Sequence, residues 1–437
     1  MKQINDNSKN FIKNLKLNEK KENITKNDEE MKSIKNKKKK YKSKSVKKLY
    51  PYKLNNNIIN IKEENEISKI EKEIKDKEKK LKKLKIGDFE MMNNISKTNV
   101  NYRGDKTFII FKSINDILYL IYSKKKEDKN NSIISYNLID LKKVTEIKNA
   151  HIEEISNFRH YLDKNNKRDL ILSISAKDNN LKVWEINNYQ FLLNINNINR
   201  KGFLKSACFL NYKNQIFILT SNYSHSENSD PIKIYDLNGN KIKEINYRNN
   251  HTFFIDTYYD IDMDTNYIIT GNFGYVKSYD YNNNKKYHKY RDNKQSDHYE
   301  HHSVIIYNNE DIIKMIETSE NGEIRIWDFH SKELLNKIKV SDNNYDNLYG
   351  ISLWNNDYIF IGCGNSIKLL DLNEEKVIGN LIGHNFNVIT LKTIVHPKYG
   401  ECLISQDLYD GNIKLWINKM FHIKYLIKEL YEKLKID

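Results

Sequence analysis

The chain has 437 residues, of which 38% are hydrophobic and 30% charged, with a formal net charge of +16. That balance excludes one uniformly packed domain and points to a folded part joined to a solvated one. Residues 1–100 hold 29 Lys/Arg against 15 Asp/Glu, a net of +14, which leaves +2 for residues 101–437, so attraction to nucleic acid or an anionic surface belongs to the N-terminal segment.

In chain order, residues 1–58 read as a disordered Lys/Asn-rich basic tail with no sustained apolar period. Lys32 to Lys48 contains ten lysines and no acidic residue, the composition of a nuclear-localisation or RNA-contacting tract. Residues 59–87 read as a helical or short coiled-coil segment. Ile67, Ile70, Ile74, Leu81 and Leu84 fall at a/d spacing, with Lys77 in the remaining slot and Gly87-Asp88 as a stop. The helix could be solvated, docked or paired. From about residue 100 onward, short runs such as Thr107–Phe111, Ile117–Tyr122 and Ile133–Tyr136 are rich in β-branched and aromatic residues and separated by Asn/Asp/Gly turns, which predicts strands. Residues 421–437 return to a helical period through Ile423, Leu426, Ile427, Leu430 and Leu434.

The strand-rich region is internally repetitive. Asp178–Trp184, Asn321–Trp327 and Asp410–Trp416 share a polar turn followed by apolar, basic, apolar and tryptophan positions. Alternation puts the apolar pair on one face of a strand and the basic residue and tryptophan on the other. Weaker copies end at Tyr136, Tyr235-Asp236, Tyr279-Asp280 and Leu370-Asp371, and the seven anchors are spaced by 48, 51, 44, 48, 43 and 46 residues.

This period resembles the WD40-repeat family, whose unit of about 40–45 residues makes one four-stranded blade. The resemblance covers roughly 310 of 437 residues, although only Trp327-Asp328 is a literal Trp-Asp pair. It implies an all-β, seven-bladed WD40-type β-propeller over residues 91–420. The outer strand of the seventh blade could come from residues 91–99 or from Ile417–Tyr425, and the former is favoured because the latter overlaps the helical period. The resemblance also implies a structural hydrogen-bond set in two blades: His151, Ser173, Asp178 and Trp184, and His384, Ser405, Asp410 and Trp416. A Ser/His/Asp set repeated in two blades argues against a catalytic triad, because a catalyst needs one site.

The resemblance implies partner contacts on one rim of the ring, at Lys177, Glu320, Asn385, Asn387 and Tyr409. His298, His301 and His302 lie around Tyr299 and Glu300, but a metal needs convergent ligands, and the reading is no metal, no cofactor and no catalytic residue. No phosphate-binding glycine loop occurs. The expected function is a non-catalytic scaffold or adaptor, a monomeric ring with a protein or peptide partner. The alternative is a nucleic-acid-associated propeller, for instance in ribosome assembly, in which Lys32–Lys48 contacts RNA. No apolar run reaches the ~18 residues of a membrane-spanning helix, and the N-terminus lacks a secretion-signal core. Cys208, Cys363 and Cys402 form no C-x-x-C pair, which suits reduced, buried thiols in an intracellular compartment, cytoplasmic or nuclear.

Overall fold

The computed structural model describes residues 54–96 and 106–434, except 126–130, 197, 199–202, 224–230, 246–251, 284–286, 293–298, 310–311, 343–345 and 355. The Lys32–Lys48 tract and His298 lie outside the described residues. Met1–Lys69 forms one compact unit and Ile70–Asp437 another. In the first, the described residues are helical.

Helix α1 spans Leu54–Leu81, so it starts inside the segment expected to be tail and ends before Leu84. Leu54, Ile58 and Ile61 extend the helical spacing back through an asparagine-rich stretch. At the other end, turns at Leu81–Leu84 and a bond from the Lys85 N–H to the Asp88 carboxylate (2.8 Å) replace the last helical turn. Within the second unit its C-terminal half is docked. Ile74 is 2% exposed, and Glu78 accepts a hydrogen bond from the Tyr431 hydroxyl.

The strands form seven four-stranded antiparallel sheets. Blade 1 holds β2 (Phe108–Lys112), β3 (Leu118–Lys125), β4 (Asn131–Asn137) and β5 (Lys142–His151), and blade 2 holds β6 (Ile155–Asp163), β7 (Arg168–Ser175), β8 (Asn180–Glu185) and β9 (Gln190–Ile195). Blade 3 holds β10 (Phe203–Tyr212), β11 (Gln215–Tyr223), β12 (Ile232–Tyr235) and β13 (Lys241–Ile245), and blade 4 holds β14 (Phe254–Asp260), β15 (Thr265–Asn272), β16 (Tyr275–Asp280) and β17 (Tyr287–Tyr290). Blade 5 holds β18 (His301–Asn309), β19 (Ile312–Ser319), β20 (Glu323–Asp328) and β21 (Leu334–Lys339), and blade 6 holds β22 (Leu348–Trp354), β23 (Tyr358–Cys363), β24 (Ser366–Asp371) and β25 (Lys376–Ile382). Blade 7 takes β26 (Val388–His396), β27 (Gly400–Asp407) and β28 (Ile413–Asn418), and its outer strand is β1 (Phe89–Ser96) from the other end of the chain. The first strands touch in sequence from blade to blade, and β26 returns to β2, which closes a seven-bladed propeller.

Each anchor occupies the third strand of its blade. The core is divided into seven apolar layers, one between each pair of neighbours. Every anchor packs against the preceding blade: Trp184 joins the layer between blades 1 and 2, Trp327 that between 4 and 5, Trp416 that between 6 and 7. The apolar pair before each tryptophan faces the other way; Leu181 and Val183 enter the layer with blade 3. A period of two thus wires every third strand to both neighbours.

The residue after the anchor shapes the next turn. Asp236, Asp280, Asp328 and Asp371 each accept the N–H two residues on, at 2.8–2.9 Å. A short side chain that bonds its own backbone fixes such turns.

Strand β1 runs antiparallel to β28, from Phe89 opposite Asn418 to Ser96 opposite Ile413. The Phe89 ring sits edge-on to Trp354 and Phe360, 5.3 and 5.2 Å away. The C-terminal helical period favours this closure, and the alternative strand Ile417–Tyr425 does not form: after Asn418 the chain turns into helix α2 (Lys419–Lys433). Asn418 causes the switch. Its side-chain oxygen caps the helix through the N–H groups of Met420 (3.0 Å) and Phe421 (3.2 Å), while its amide donates to the Ile86 carbonyl (2.8 Å). No described helix is long and apolar enough to cross a membrane.

Removal of residues 1–97 is expected to leave β28 as an unpaired apolar edge, with loss of the cooperative melt and onset of aggregation in light scattering. Removal of residues 1–53, whose sequence has no sustained apolar period, is expected to keep the melting temperature within ~2 °C.

Candidate functional site

Antiparallel blades sort their loops by topology. The turns between second and third strands and the links between blades share one rim, here the link rim. The remaining turns and the Asn418 junction with α2 share the opposite, hairpin rim.

Two blades carry a buried hydrogen-bond set reaching toward the link rim. In blade 2, Ser173 Oγ lies 2.8 Å from His151 Nε2 and accepts from the Trp184 indole N–H (2.9 Å). In blade 7, Ser405 Oγ lies 2.7 Å from His384 Nε2 and accepts from the Trp416 indole (2.7 Å). The aspartates differ from expectation. His384 Nδ1 meets Asp407 at 2.9 Å, not Asp410, and Asp178 accepts the Glu153 N–H (3.0 Å) rather than touching His151. Asp407 lies two residues after Ser405 in β27, so a period of two puts both on the same face. Asp178 and Asp410 belong to the turns, where Asp410 holds the Asn385 amide at 3.1 Å. Blade 2 has Ser175 at the Asp407 position, and among the described residues His151 Nδ1 has no hydrogen-bond partner. Burial, helped by the Lys182 charge, pushes His151 down to about 3. Burial also lowers His384, against the opposing hydrogen bond and charge of Asp407. Ser405 is fully buried with both His384 and Trp416 on its oxygen, so the set serves to satisfy buried polar groups.

Blade 5 departs from this pattern. Register puts Glu317 where the other two blades have serine. Glu317 faces His301 Nδ1 at 3.0 Å and the Arg325 guanidinium at 3.8 Å. Arg325, 1% exposed, also donates to Ser319 (3.1 Å), and Asp292 is bound by Lys337 at 2.8 Å. Elsewhere the basic residue of the repeat ties a blade to the preceding link: Lys182 donates to the Ala150 carbonyl (2.6 Å), Lys233 to Ile198 and Lys414 to Gly383. His301 is therefore buried beside the Glu317–Arg325 ion pair. His302 lies with Glu300 and Glu320, three ligand-type atoms within 4.8 Å of one another. The Glu320 carboxylate there also accepts the Glu300 N–H (3.3 Å) and the Asn347 amide (3.4 Å).

The five rim residues named from sequence all sit on the link rim, in three places. Lys177, in the β7–β8 turn, is an exposed partner of Glu153 at 3.9 Å. Glu320 belongs to blade 5. Asn385, Asn387 and Tyr409 come together on blade 7, where the Leu408 N–H bonds the Asn387 carbonyl (2.8 Å) and the Tyr409 ring meets Phe386 edge-on at 5.4 Å. Sequence reasoning missed Phe386 and Ile382. Ile382 is 74% exposed and Tyr409 49% exposed. The signal available was a phenylalanine between two asparagines, in a loop that needed no apolar residue. Tyr409 has a φ of 71°, a left-handed conformation unfavourable for a bulky aromatic residue.

On the hairpin rim a cleft of about 690 Å³ lies among blades 2, 3 and 4, with Tyr161, Tyr212 and Tyr259 on its walls and Arg159 and Asp256 at its inner end. The three cysteines are free and buried. Burial pushes Cys363 up to about 11 and Cys402 up to about 12, so neither is a thiolate nucleophile near neutral pH. No protein-family model matches the chain, and no curated protein matches it.

The histidines give a pH prediction with a definite sign. His151 stays neutral in the fold far below the ~6.5 at which an unfolded histidine titrates. As pH falls through that range the unfolded state gains the proton first, so stability is full above it and declines toward about 3. In urea melts at a series of pH values, His151→Gln is expected to remove about 1.4 kcal/mol per pH unit, one proton's worth, from the slope between roughly pH 6 and pH 4. An unchanged slope would contradict the assignment.

Proposed function

We propose that this chain is a WD40-type propeller acting as a non-catalytic docking platform, and that a protein or peptide partner engages the link rim at blade 7. The observation that carries this reading is the exposed pair Phe386 and Tyr409. An apolar ring pair on a surface otherwise rich in Asn and Asp costs solubility, and Tyr409 is held there on a strained turn. Strain retained at an exposed aromatic position fits a binding role, because glycine would suit the backbone better. Tyrosine and phenylalanine supply large contact area with few rotatable bonds. Ile382 widens the apolar surface, and the Asn385–Asp410 bond fixes the loop that carries Phe386. The rest of the ring supports the same reading: seven packed layers make a rigid frame, and the Asp407–His384–Ser405 hydrogen-bond chain is buried beneath Trp416.

The test separates stability from binding. Tyr409→Gly relieves the left-handed strain and is expected to stabilise the full-length protein by ~0.5–1 kcal/mol, a rise of about 2 °C in melting temperature. In quantitative affinity capture from the native cell, the same variant is expected to lose partners that the wild-type chain retains. A variant that is equally stable or more so, yet captures an undiminished set, would overturn the assignment of this rim.

A further inference from the structure

The cleft on the hairpin rim carries hydrogen-bonding groups that the fold leaves unused. Strands β6, β10 and β14 run out to this rim, and near its outer end each supplies one tyrosine to the cleft wall: Tyr161, Tyr212 and Tyr259. Each of these side chains is held by a neighbour. Tyr161 leans on Phe209, with ring centroids 5.7 Å apart, and Tyr212 stands edge-on to Tyr281 at 4.8 Å. The Tyr259 hydroxyl donates to Asp264 (2.7 Å). Between the rings stand the side chains of Asn211, Asn214 and Asn266.

The polar groups of this lining divide unevenly. Among the described residues, the hydroxyls of Tyr161 and Tyr212 and the side-chain amides of Asn211, Asn214 and Asn266 make no hydrogen bond. The carboxylates are already engaged: Asp256 accepts from Lys106 Nζ (2.6 Å) and from the Thr257 N–H (3.0 Å), and Asp264 accepts from Tyr259. The cleft thus offers free hydroxyl and amide donors beside aromatic faces, while its strongest acceptors are taken. The Lys213 ammonium stands 5.2 Å from the Tyr212 ring centre, a weak contact at an exposed site that a packed ring displaces. The turn between Tyr259 and Asp264 exposes Ile261 (79%) and Met263 (59%), an apolar lip beside the opening.

A ligand matched to this lining presents carbonyl oxygens and flat apolar faces and asks for few acceptors. Proline-rich chain does this. Proline has no N–H, the polyproline II helix makes no internal hydrogen bond and leaves its carbonyls outward, and such segments dock in aromatic-lined grooves at a low ordering cost. A carbohydrate also stacks on tyrosine, but its hydroxyls donate as often as they accept and call on the carboxylates committed here. We propose that the cleft binds a proline-rich segment of another protein in the polyproline II conformation. Proline rings pack on Tyr161, Tyr212 and Tyr259, and the free hydroxyls and amides donate to the carbonyls between them. A volume of about 690 Å³ accommodates a short segment, and Ile261 and Met263 receive an apolar residue that flanks it. The chain's own prolines, Pro51, Pro231 and Pro397, are too far apart to form such a segment. This site lies on the opposite rim from Phe386 and Tyr409 and does not depend on them.

The test titrates the full-length chain with acetylated decaproline amide in calorimetry, with a Gly-Ser decapeptide and cellotetraose as comparisons. Saturable binding of decaproline alone is expected. Tyr259→Ala removes a half-exposed ring and is expected to weaken binding at least tenfold while the melting temperature stays within ~2 °C. Asn214→Asp exchanges an amide donor for a carboxylate at an exposed turn, and is expected to weaken decaproline binding several-fold. The proposal is overturned by absence of decaproline binding to the wild-type chain, by equal binding of the Gly-Ser peptide, or by undiminished binding in both folded variants. Binding of cellotetraose without decaproline also overturns it and assigns the cleft to a carbohydrate.

Discussion

The pairing of β1 with β28 is the constraint on which the rest of the structure depends. The last blade is complete only if it receives a fourth strand, and here the chain runs out of strand at Asn418. The missing strand comes from more than 300 residues earlier. Once it is in place, Phe89 enters the layer between blades 6 and 7, and Asn418 can join the Ile86 carbonyl to the first turn of α2. The segments that flank the closure, residues 82–88 and α2, then meet on the hairpin rim, where the Lys419 N–H bonds the Asp88 carbonyl at 2.9 Å. The link rim is left clear of both.

Within the closed ring, polar groups buried between blades act as local fasteners. Serine shared by a histidine and a tryptophan does this in blades 2 and 7, and a lysine reaching back to the preceding link does it in blades 2, 3 and 7. Blade 5 differs by placing Glu317 where blades 2 and 7 have the serine, facing Arg325, its counterpart of their lysine. A buried ionic group tolerates little change: loss of one partner strands the others in low dielectric at a cost of about 3–5 kcal/mol.

Much of the fold was legible because it is written locally. The anchor spacing fixed seven blades, and alternation around Trp184 and Trp416 foretold which faces meet which neighbours. The helical period of Ile423, Ile427 and Leu430 left β1 as the closing strand by elimination. What was not legible depends on register. Asp410 matched the turn aspartate of the repeat, but Asp407 carries out the bond because it shares a strand face with Ser405. Glu317 was invisible as the counterpart of serine until β19 and β20 were in register. Lys106 and Asp256 stand 150 residues apart, and only the ring brings them into an ion pair. The start of α1 was misplaced for a simpler reason: asparagines at residues 55–57 masked an apolar spacing that continues through them.

The central claim is that the N-terminal strand is an integral part of blade 7, with the stability of the ring itself. Hydrogen exchange on the full-length chain, followed by mass spectrometry, measures this directly. Amides of Phe89–Ser96 and Ile413–Asn418 are expected to exchange as slowly as those of Val388–His396 and Gly400–Asp407, and all four segments should open together as denaturant is added. Rapid exchange of Phe89–Ser96 while Gly400–Asp407 stays protected would contradict the account.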